Sequence, residues 1–132
     1  MIPYGLVKLF SMVGLPAAAA AILATLLIES KPMDLDELSS KTGYAKSHLS
    51  SMLRLLEEKL LIEKIPGKSR KVYFKAKRDA LTKIIHQHLR RIRNSLRDTL
   101  AELHDGLTEF KELERIEREL HELIKRLNGD EH

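Results

Sequence analysis

The 132-residue chain has no cysteine and no tryptophan, and only three Phe and three Tyr. Without cysteine it has no disulfide scaffold, no thiolate metal site and no cysteine nucleophile. With so few aromatics, a core drawn from its 43% hydrophobic residues must be mainly aliphatic. Asn and Gln are also scarce (Asn94, Asn128 and Gln87) beside abundant Lys and Glu, a bias that suits a heat-stable chain. There is no Gly-rich phosphate loop and no G-x-S-x-G elbow, and the many carboxylates fall on helix faces expected to be exposed. An enzyme is therefore not expected, and neither is a cofactor.

Charge is absent locally as well. Residues 9–28 contain no charged side chain over twenty positions, enough to span a bilayer. Lys8 ahead of the run and the alanines at 17–21 imitate a signal peptide. Gly14 and Pro16 interrupt it, however, and its Ala-rich half gives a weak drive for insertion. A soluble, cytoplasmic chain without a membrane partner is the preferred expectation. A membrane-tethered regulator anchored by residues 9–28 is the alternative.

Where charge is present, it is segregated. The formal net charge is +4, but residues 64–93 hold eleven Lys or Arg against one acid, Asp79. Residues 98–132 hold eleven acids against five Lys or Arg. A basic middle beside an acidic tail points to a polyanion-facing surface on one segment.

Apolar spacing predicts a short leading helix over 4–13, then a helix over 17–29 with Pro16 at a first helical position and Ile22, Leu23, Leu26 and Leu27 facing the core. Lys31-Pro32 breaks it. Asp34 is a suitable N-cap, with Glu37 three residues on completing a capping box for a short helix over 35–42. Gly43 allows a tight turn with positive φ. A third helix, about 45–59, turns Leu49, Met52, Leu53, Leu55 and Leu56 to one side and Lys46, Ser47, His48, Ser50, Ser51 and Arg54 to the other. Residues 61–65 read as a strand and 66–69 as a turn. Val72, Phe74 and Ala76 alternate with Tyr73, Lys75 and Lys77 as in a second strand. The hairpin tip carries Lys68, Ser69, Arg70 and Lys71.

Beyond residue 79 the pattern is helical. Leu81, Ile85, Leu89, Ile92, Leu96, Leu100 (or Thr99) and Leu103 recur at steps of three and four, a coiled-coil seam. Asp105-Gly106 interrupts it, and a new phase runs through Leu107, Phe110, Leu113, Ile116, Leu120, Leu123 or Ile124, and Leu127. A helix exposing such a seam needs a partner, and a second copy is the commonest one. The expected fold is mainly α, an α+β winged helix-turn-helix. Residues 1–79 are expected to be a DNA-binding domain and 80–132 a helical coiled-coil region for homodimerisation.

The segment LSSKTGYAKSHLSSMLRLLEEKLLIEK, residues 38–64, resembles the helix-turn-helix of MarR-type winged-helix regulators. Gly14-Leu15-Pro16 ahead of it is most similar to the GbsR-like branch. The likeness covers about residues 6–78. It implies that Lys46, Ser47, His48, Ser50, Ser51 and Arg54 face the major groove of double-stranded DNA, and that Lys68, Ser69, Arg70 and Lys71 form the wing on flanking phosphates. It implies a pseudo-palindromic site read by a homodimer, and allows a small-molecule effector. Two departures stand out. Ala45 sits where such proteins often have a capping Ser, a loss of about 1 kcal/mol. Leu60 sits where a Gly often ends the helix, so a different turn into the first wing strand is expected.

Other readings of the same residues compete with this one. The same winged domain without DNA binding would be a protein-interaction adaptor. Arg90, Arg91, Arg93 and Arg97 read as a solvated helix face. His86 and His88, two apart, point to different faces of a helix. His121-Glu122 begins like a zinc-protease motif but has Lys125 where the second His belongs. No metal site is expected.

Overall fold

The computed structural model describes residues 2–103 and 110–128. The chain divides into two units, Met1–Ile84 and Ile85–His132.

In the first unit, α1 (Tyr4–Met12) and α2 (Ala17–Glu29) are separated by Gly14 at φ 105°. Every residue from 18 to 26 is buried, because α2 contacts α1, α3 (Leu35–Thr42), α4 (Lys46–Glu58) and the second wing strand. A helix surrounded on all sides is apolar on all sides, and this accounts for most of the uncharged run. Among the described residues no helix is long and apolar enough to cross a membrane. The one hydroxyl in this buried stretch, Thr25, donates to the Ala21 carbonyl at 2.7 Å. Pro16 stands just before α2 rather than at its first position, with φ −56° and its carbonyl accepting from the Ala20 N–H at 2.9 Å.

Both halves of the capping box form at the start of α3. The Asp34 carboxylate accepts from the Glu37 N–H at 2.8 Å, and the Glu37 carboxylate accepts from the Asp34 N–H at 3.3 Å. Gly43, at φ 80°, ends the helix. Leu38 on α3 and Leu49, Leu53 and Leu56 on α4 are essentially unexposed, and the two helices contact each other.

The wing pairs β1 (Ile62–Pro66) with β2 (Val72–Ala76) antiparallel, Ile62 opposite Ala76 and Pro66 opposite Val72. The first strand starts one residue later than the sequence suggests. Leu61 is instead a buried core residue whose N–H donates to the Leu56 carbonyl at 3.0 Å. A third edge is not visible in the sequence pattern: Met33 exchanges both backbone hydrogen bonds with Phe74, at 2.9 and 2.8 Å. This bridge ties the base of the wing to the residue just ahead of the α3 cap. Leu60 takes φ 61°, the left-handed conformation that a Gly would supply there. The turn is thus kept, at a steric cost of about 1–2 kcal/mol.

The helix α5 (Ala80–Glu102) opens with Ala80 and Ile84 buried. Ile84 lies outside the expected seam. Of the seam residues, Leu81, Ile92 and Leu103 are 37–39% exposed, while Ile85, Leu89, Leu96 and Leu100 are half-buried. In the second unit Arg97 of α5 bonds to the Glu117 carboxylate and, at 3.1 Å, to His121 Nδ1, both on α6 (Lys111–Leu127). On α6, Ile124 is buried and Leu123 is exposed, which resolves that pair of alternatives. Asp105, Gly106 and Leu107, and with them the expected break in the helix, lie outside the described residues.

Candidate nucleic-acid interface

The turn at Gly43 and the packing of Leu49, Leu53 and Leu56 fix which side of α4 faces solvent. Lys46, Ser47, His48, Ser50, Ser51 and Arg54 are all exposed. Three serines keep this face low, so another surface can approach the helix closely. Ser51 Oγ donates back to the Ser47 carbonyl at 3.4 Å. The His48 ring stands edge-on to Tyr44, with centroids 5.2 Å apart and planes at 66°. Ala45 precedes the helix without a capping side chain, as its identity requires.

The tip of the wing is held tightly. Lys68, Ser69, Arg70 and Lys71 are exposed, and Ser69 and Arg70 are both left-handed, at φ 58° and 63°. The Gly67 N–H donates to the Lys71 carbonyl at 2.7 Å, and the Lys71 N–H to the Lys68 carbonyl at 3.2 Å. The Tyr73 ring lies close over Gly67, so a Cβ there would require the ring to move.

Between the starts of α3 and α4 and the wing lies an open cleft of about 410 Å³. Lys46, Lys64, Arg70 and Lys71 line it together with Asp34 and Asp36, over apolar Leu35, Val72 and Phe74. Three of the residues expected to meet DNA, from two different elements, therefore share one cleft. Ser47, His48, Ser50, Ser51, Arg54, Lys68 and Ser69 lie outside its lining. Lys64 does not stand out in the sequence, although strand alternation sets it on the face of Ile62 and opposite Phe74. The two carboxylates escape a sequence reading as site residues, because Asp34 already has a sufficient role as a cap.

These acids hold some of the cations. Lys46 pairs with Asp36, and Lys71 lies 3.6 Å from Asp34. Lys64 lies 3.8 Å from Glu57. The hydrogen bond from Lys46, and then its charge, keeps the Asp36 carboxyl below the ordinary carboxylate range. The same bond and the Asp36 charge raise Lys46 above the usual lysine value. Among the described residues, no group of three His, Asp or Glu is placed to hold a metal ion.

No protein-family model and no curated sequence matches the chain. Solved structures do. A crystal structure of a transcriptional regulator is similar at TM-score 0.59 and 19% identity, over 95% of this chain and 86% of that one. A possible transcriptional regulator from Methanosarcina mazei is similar at TM-score 0.58 and 19% identity, over 75% and 86%. A single-site mutant of MarR from E. coli is similar at TM-score 0.52 and 22% identity, over 92% and 86%. At these identities the likeness is one of fold: the chain has the mostly helical winged-helix architecture of MarR and its structural relatives.

Proposed function

We propose that the protein is a sequence-specific, DNA-binding transcription regulator that acts as a homodimer and is not an enzyme. The observation that carries this reading is an exposed, low, serine-lined face on α4 together with a basic wing whose Arg70 and Lys71 share one cleft with Lys46 at the start of that helix. In this reading α4 lies in the major groove, about 12 Å wide, with Ser47, Ser50, Ser51 and Arg54 at base edges. Lys68, Arg70 and Lys71 bind flanking phosphates, where counterion release supplies most of the affinity. Lys46, His48 and Ser69 complete the contact surface.

Residues 1–79 serve as the DNA-binding domain and 80–132 as the pairing region. The seam of Leu81, Ile85, Leu89, Ile92, Leu96, Leu100 and Leu103 meets its copy in a second protomer, which suits a pseudo-palindromic site. The exposure of Leu81, Ile92 and Leu103 in the single chain supports this assignment. The Gly14-Leu15-Pro16 stretch favours the GbsR-like branch, and a cytoplasmic location and a small-molecule effector go with that reading.

Selection of bound sequences from a random duplex pool, followed by competition with non-specific DNA, tests the proposal. Enrichment of a two-fold symmetric site is expected. Salt-sensitive binding without enrichment would contradict sequence-specific regulation, and no duplex binding at all would favour a protein-interaction adaptor.

A further inference from the structure

The cleft beside the start of α4 gathers four cations around two carboxylates, so it retains an excess of positive charge that an anion can neutralise. Lys46 and Asp36 are largely solvent-exposed, with 61% and 65% of their side chains accessible. Their pairing is therefore exchangeable, since exposed ion pairs are weak. Asp34 is different. Its side chain is 12% accessible, caps α3 and pairs with Lys71, and so belongs to the framework that sets the wing against the helix. Carboxylate and phosphodiester each carry one negative charge on oxygen, and a lysine ammonium, as a point charge, can pass from one to the other without a demanding geometry.

We propose that Asp36 stands in for a DNA phosphate on Lys46 in the free protein, and that one backbone phosphate enters the cleft by displacing it. The exchange rests on the DNA-binding reading of α4 and the wing. Its consequence is specific: Asp36 lowers affinity for every duplex alike, because each duplex offers the same phosphate. It leaves discrimination to Ser47, Ser50, Ser51 and Arg54, and it weakens the non-specific binding that would otherwise hold the protein away from its site.

The test is a duplex titration of the full chain in four forms: wild type, Asp36→Asn, Lys46→Ala and the double variant. Each is measured on the best selected site and on a random-sequence duplex at one moderate salt concentration. Asp36→Asn keeps the Asp34 cap, and a thermal melt checks that the fold is retained. Its expected effect is a gain in affinity of about two- to fivefold on both duplexes, the scale of an exposed ion pair, with the specificity ratio unchanged. In the Lys46→Ala background the same substitution should give little or no gain, because no lysine is left to release. A gain of equal size in both backgrounds would overturn the exchange in favour of general charge repulsion, and so would an unchanged or weakened Asp36→Asn. A wild type that binds no duplex would instead overturn the DNA-binding reading, and the exchange with it.

Discussion

Two helices rich in aliphatic side chains, α2 and α5, have opposite fates. Along α2, residues 18–26 are all buried by the rest of the first unit. Along α5, which is studded with Lys and Arg, Leu81 and Ile92 remain 39% exposed, and Leu103 just beyond its end 37%. The uncharged segment is thus satisfied within its own unit, while the charged one leaves large apolar side chains exposed in the single chain. A count of apolar residues alone ranks the two the other way, and makes the central helix of a winged domain look like a membrane anchor.

This contrast can be broken most forcefully in α2. Leu23 is fully buried, so Leu23→Ala should destabilise the protein by about 2–5 kcal/mol. A denaturant melt should show the loss to be nearly independent of protein concentration. A loss below about 1 kcal/mol would mean that the centre of the first unit is not where the core lies.

On α5, Leu89→Glu combined with Leu96→Glu should move the sedimenting mass from dimer to monomer or abolish soluble expression. The wild-type melting temperature should rise with protein concentration, because pairing stabilises by mass action. An unchanged dimer in the double variant would place the interface elsewhere, in residues 107–127 or in α1.

A smaller effect is expected at the entry to the wing. Leu60→Gly relieves about 1–2 kcal/mol of left-handed strain and gives back about 0.5–1 kcal/mol of chain entropy. A net stabilisation of about 0.5–1 kcal/mol should appear as a higher denaturant midpoint with unchanged slope. Destabilisation would show that the Leu60 side chain contributes more than its backbone conformation costs.

Much of this fold is legible in the sequence because local chemistry and tertiary packing agree. The Asp34–Glu37 capping box, the turn at Gly43 and the bounds of α2 and α3 follow from side chains a few residues apart. The features that escape a sequence reading depend on contacts remote in the chain. Met33 becomes a strand edge because Phe74 comes beside it. Asp36 joins the cleft because α4 starts next to it. Lys64 is within reach of strand alternation, but its role depends on where the wing folds relative to α3. Leu60 keeps a turn that its identity argues against, since the path from buried Leu56 to buried Leu61 leaves the chain little other route.

In the proposed complex α4 reads sequence and the wing anchors the protein. A paired titration of Arg54→Ala and Arg70→Ala on specific and random duplexes, at several salt concentrations, tests this division of roles most directly. Arg54→Ala should cost roughly 1–3 kcal/mol on the preferred site and far less on random DNA. Arg70→Ala should weaken both duplexes similarly and flatten the slope of log K against log salt by about one unit. The opposite pattern, an intact specificity ratio in Arg54→Ala and a collapsed one in Arg70→Ala, would contradict the account.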